Sequence, residues 1–106
     1  MTETTYTFFP SIAGAIDTIP EESIVSRTVY HEGQTKAIVF AFAPGQELSE
    51  HAAAVPAIIQ ILEGECILTL GGDRYEVKAG AWASMPANMK HSLLAVTPVK
   101  MLLMML

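Results

Sequence analysis

Covalent staples are excluded at once, because Cys66 is the single cysteine of this 106-residue chain and has no partner for an internal disulfide. Basic charge is scarce as well. Six lysines and arginines stand against eleven acidic residues, leaving a net charge of −5. With arginine only at positions 27 and 74, the chain lacks the basic footprint that a phosphate backbone requires. It offers no polybasic patch to an anionic membrane either. No apolar run approaches the roughly 20 residues that span a bilayer. The opening Met1-Thr-Glu-Thr-Thr-Tyr6 has neither the basic region nor the apolar stretch of a secretory signal, so cytoplasmic residence is the expectation. Nucleophile-elbow, phosphate-loop and dinucleotide fingerprints are all missing.

Helical periodicity is equally thin. The best candidate, Ile12-Ala-Gly-Ala-Ile-Asp-Thr-Ile19, carries Gly14 inside it and Pro20 behind it. Residues 1–22 are therefore read as an irregular arm, or a single turn, packed on one domain formed by residues 23–106.

What the chain has in quantity is apolar residues, 51% of the total against 16% charged. They fall into short runs separated by glycine, proline and turn pairs, the pattern of a sandwich or barrel. Strands are expected over 23–30, 35–43, 57–62, 66–70, 75–77, 81–85, 91–96 and 99–106. Gly71-Gly72-Asp73 supplies a hairpin turn. The fold class is all-β. Several runs, such as Ala-Ile-Val-Phe-Ala-Phe-Ala within 37–43, are apolar on both faces rather than alternating, with no crossover helices to cover the second face. A homodimer through an apolar sheet face is the expected remedy, with a monomer built on a thick two-sheet core as the alternative.

Two clusters carry chemistry. The first runs Gly45-Gln-Glu-Leu-Ser-Glu-His51-Ala-Ala53-Ala-Val-Pro-Ala57 and continues to Gly64-Glu65; the second is Gly80-Ala-Trp-Ala-Ser-Met-Pro86-Ala-Asn88-Met-Lys-His91. Their order and spacing resemble the two motifs of the cupin superfamily, over residues 35–106. The resemblance implies a double-stranded β-helix, the cupin jelly-roll barrel. In metal-binding members three histidines and a glutamate point into the barrel. Carried over, those positions are His51, Ala53, Ala57 and His91, so only two imidazoles remain. Asn88 and Ala95 replace the glycine and asparagine usual there.

The resemblance thus implies a metal site at His51 and His91, with a divalent transition metal weakly held. Ser49 and Glu47 share the parity of His51 in an extended strand and are candidates for a further ligand. Gln60 has the opposite parity to Ala57. Ala53, Ala57, Trp82, Met85 and Met89 are candidate pocket-lining residues, and the methionines are read chiefly as apolar filling. Three functions remain open: binding of a small organic ligand in the cavity beside His51 and His91; a metal-dependent dioxygenase, isomerase or decarboxylase; and a structural or interaction barrel. The first expects an open void between the two histidines, reaching solvent past Met85, Met89 or Trp82.

Overall fold

Alternation decides which way each strand faces, and among the described residues nine strands rather than eight result. A computed structural model describes residues 6–106. The strands are β1 (Ile24–Glu32), β2 (Thr35–Phe42), β3 (Glu47–His51), β4 (Ala57–Glu63), β5 (Glu65–Leu70), β6 (Asp73–Lys78), β7 (Trp82–Met85), β8 (His91–Ala95) and β9 (Val99–Met105). They form two antiparallel sheets, β1-β2-β9-β4-β7 and β3-β8-β5-β6. The unexpected strand is β3. Its Glu-Leu-Ser-Glu-His sequence is polar except for Leu48, and it lies at a sheet edge, where charged residues discourage further pairing. His31 lies in β1, and the turn that follows begins at Gly33.

The core lies between the sheets. Phe42, Ile59, Ile61, Leu93, Val99 and Met101 are its largest sealed members, with Cys66 beside them. Burial pushes the Cys66 thiol up to about 11, so it is a neutral, inert filler at physiological pH. Met85 and Met101 are also sealed in the core, and Met89 and Met105 pack against it.

Upstream of β1, Ile12–Ala15 makes one 3-10 turn against β2. Two cations hold it there: Lys100 Nζ donates to the Ala13 carbonyl at 2.9 Å and an Arg27 guanidinium N–H to the Ala15 carbonyl at 2.9 Å. Among the described residues no helix is long and apolar enough to cross a membrane.

Candidate functional site

The second motif positions its histidine through a loop of unusual backbone. Asn88 takes φ +69°, a left-handed conformation that asparagine tolerates better than most residues. Its N–H donates to the Ala53 carbonyl at 2.7 Å, tying the loop before β8 to the loop after β3. His91 then opens β8 with its side chain inward, 4% exposed.

The first motif needs a distortion to reach the same place. Leu48 pairs with Leu93 and His51 with His91, so β3 carries one more residue than β8 between these pairs. That extra residue is a β-bulge, and it resets the parity of the strand. Glu47 pairs with Leu94 on the outer face, whereas His51 lies on the inner side beside His91. The bulge therefore overturns the expected kinship of Glu47 with His51. Gln60 alternates with the core residues Ile59 and Ile61 and faces outward, as its parity implies.

The two imidazoles are cross-strand neighbours with ring centroids 4.1 Å apart and planes inclined by 59°. They touch. No void separates them, contrary to the expectation of a cavity spanned by the pair, because β3 and β8 are adjacent strands of one sheet. His91 Nδ1 lies 3.1 Å from the Met89 carbonyl and His51 Nδ1 2.9 Å from the Ser49 carbonyl. A carbonyl only accepts, so each Nδ1 carries the proton and donates. In a neutral ring held this way, Nε2 is the acceptor. Burial, the largest influence, holds the His91 pKa below the ordinary imidazole value; the Met89 carbonyl opposes this shift and His51 nearby reinforces it. Neither carbonyl partner was legible in advance, since any residue type supplies one.

Inner-face neighbours follow from register. Leu70 pairs with His91 on the four-stranded sheet. At the same end of the opposite sheet stands the row Met105–Ala57–Met85. The loops 52–56 and 86–90 cross between the sheets here. Ala57 and Met85 are buried within the core, while Ala53 and Met89 are partly buried. Trp82 lies elsewhere, on the rim of a cleft of about 260 Å³ between the edge strands β6 and β7, with Leu68, Leu70, Tyr75 and Val77 among its walls. Leu70 thus borders both this cleft and His91.

The donor set does not fit a resident metal ion. Transition ions in proteins take three or four protein ligands as a rule, and alanine side chains offer no lone pair at positions 53 and 57. Among the described residues, no group of three or more histidine, cysteine, aspartate or glutamate side chains comes together.

A family model described as "Cupin domain" matches residues 38–105. The chain belongs to the cupin family. Its fold superposes on a cupin superfamily protein from Desulfitobacterium hafniense with a TM-score of 0.83 and 23% identity, covering 90% of this chain and 86% of that one. A conserved protein of unknown function from Streptococcus pyogenes gives a TM-score of 0.80 and 28% identity over 99% and 96% of the two chains. A cupin 2 conserved barrel domain protein from Leptotrichia buccalis gives 0.82 and 29% identity, over 90% of this chain and 46% of that one. No curated protein matches the chain.

Proposed function

We propose that this cupin binds a small organic molecule at the end of the barrel marked by His51 and His91. The observation that supports it is the pair of fixed tautomers. Both Nδ1–H groups are engaged by backbone carbonyls on touching rings, which leaves the Nε2 atoms for a ligand. The buried His91 imidazole is neutral above its lowered pKa, so its Nε2 solicits a hydrogen-bond donor rather than an anion. The partly buried apolar residues at this end, Leu70, Met89 and Met105, suit a ligand with an apolar body and one or two hydroxyl groups, such as a phenol or an alcohol. The ligand lies against the paired Nε2 edges, not between the rings.

The test is a ligand-observed NMR screen of small phenols and alcohols against untagged protein, with elemental analysis of the same sample. Hits that bind wild type and are lost in both His51→Ala and His91→Ala support the reading. Hits that persist in both variants, or none at millimolar concentration, overturn it. So does stoichiometric metal in wild type that disappears in both variants, which would favour the metal-dependent enzyme.

A further inference from the structure

Directly opposed residues of an antiparallel pair share a face, so the register writes out the inner surface of the four-stranded sheet row by row. The end row is His51–His91–Leu70–Asp73, the next is Leu48–Leu93–Leu68–Tyr75, and the third runs Ala95–Cys66–Val77. Leu93, Leu68, Ala95 and Cys66 are sealed, yet Tyr75 is 50% exposed despite its inner parity. The cause lies across the gap between the sheets. β6 and β7 are the edge strands on this side of the sandwich, joined through Gly80, and the inner residue that β7 brings to their cleft is Ala83, the partner of Ile59. A methyl group does not fill the space that Tyr75 and Val77 leave, and the cleft of about 260 Å³ is the result.

Its walls are aromatic and aliphatic, with no charged side chain among them. Tyr75 lines it and Trp82, 60% exposed, stands at its rim. Arg74, Glu76 and Lys78 alternate with Tyr75 and Val77 and face the outer side. Volume sets the size of a guest. A cavity of about 150 Å³ takes one benzene ring. The cleft therefore suits two fused rings. Leu70 joins it to the imidazole pair, because it lines the cleft and is paired with His91, the two side chains standing on one face about 5 Å apart. At the far end of the same row the exposed Asp73 carboxylate disfavours an anion lying over Leu70.

We propose that this cleft receives the ring system of the ligand whose hydroxyl meets His91, so that the site takes an uncharged fused-ring phenol of the size of a naphthol. The proposal rests on the ligand reading at His51 and His91 and adds the class of ligand to it. Tyr75 and Trp82 flank the rings, and Leu70 lies under the span from ring to hydroxyl. A carboxylate in place of the hydroxyl loses twice: it donates nothing to the His91 acceptor, and Asp73 repels it.

Heteronuclear NMR of the untagged full chain tests this, because Trp82 is the single tryptophan and gives one indole N–H resonance. Titration with 2-naphthol should shift that resonance saturably in wild type, a readout that needs no variant. Phenol and 2-naphthoate should each bind at least about tenfold more weakly than 2-naphthol. Tyr75→Ala should weaken 2-naphthol about two- to tenfold, and Ala83→Leu, which fills the cleft, by more than about tenfold. Glu76→Ala, on the outer face of the same strand, should leave its affinity unchanged. Binding that is lost in His51→Ala and His91→Ala, but ignores Ala83→Leu and leaves the Trp82 resonance in place, overturns the cleft and spares the ligand reading at the histidines. Binding that shifts Trp82 and persists in both histidine variants overturns the link to His91, and with it both readings. So does the absence of any binding at millimolar concentration.

Discussion

Gly64 joins β4 to β5, the corner where the chain passes from one sheet to the other, and its substitution by alanine tests that corner directly. Its φ is +91°, a conformation L-residues rarely adopt. A Cβ there would run into the Pro98 carbonyl oxygen and stand 3.0 Å from both the Pro98 carbonyl carbon and Thr97 Oγ1. The Pro98 obstacle is backbone, and the Thr97 hydroxyl is held in place by hydrogen bonds. Thr97 Oγ1 accepts the Glu65 N–H at 2.9 Å, and the Val96 and Thr97 N–H groups donate to the Glu65 carbonyl. The backbone strain costs about 1–2 kcal/mol. Displacing the packed turn adds about 1–3 kcal/mol, and weakening the Glu65–Thr97 hydrogen bond about 1 kcal/mol. Gly64→Ala should therefore cost about 3–6 kcal/mol, a large share of the roughly 5–15 kcal/mol that stabilises a domain of this size. Gly33→Ala is the control, because its φ is +58° and a Cβ there meets nothing within 4 Å. It should cost only the strain, about 1–2 kcal/mol. Urea unfolding of both variants gives the two values. Costs within about 1 kcal/mol of each other would refute the steric reasoning.

Two further outcomes follow from burial. Because the native His91 pKa lies below its ordinary value of 6.5, the unfolded chain takes up a proton before the folded one does as pH falls. This contribution to stability is complete above pH 6.5 and is lost as pH falls toward the native pKa; urea midpoints of wild type should show that slope and those of His91→Gln should lack it. Cys66 runs the other way: its thiol is raised from 9.0 to about 11, so the unfolded chain loses its proton first and stability falls as pH rises from 9 toward 11. A thiol reagent at pH 8 should leave native Cys66 unmodified and label it in urea, and rapid labelling of the native protein would contradict its sealed position.

How far the fold could be read in advance depends on how residues signal. Gly71-Gly72 announced the β5–β6 hairpin because turns demand backbone freedom. The motif spacing announced the cupin barrel, which the family match and the structural neighbours bear out. The strand β3 escaped because a polar edge strand has the composition of a loop. The bulge within it escaped as well: Ser49 and Glu50 carry no glycine or proline to mark it, and only pairing with β8 shows that one residue is extra. Parity arguments from sequence fail at such a point. Simple alternation puts Glu47 with His51, whereas the bulge turns it to the outer face.

The same period of two explains why apolar runs were ambiguous. In β9, Met105 pairs with Ala57 on the inner side, at the end of the barrel that holds the histidines, while Met104 pairs with Ile58 on the outer side. Both residues are methionine, so hydropathy could not say which side served the core and which an unpartnered surface. Register separates them. The strands apolar on both faces, β2, β4 and β9, are the three consecutive inner strands of a single sheet. The apolar excess of the composition is therefore concentrated on one outer surface, and the paired imidazoles line the inner face of the other sheet. The inner and outer faces thus make different demands on the sequence, and alternate residues of one strand can meet both.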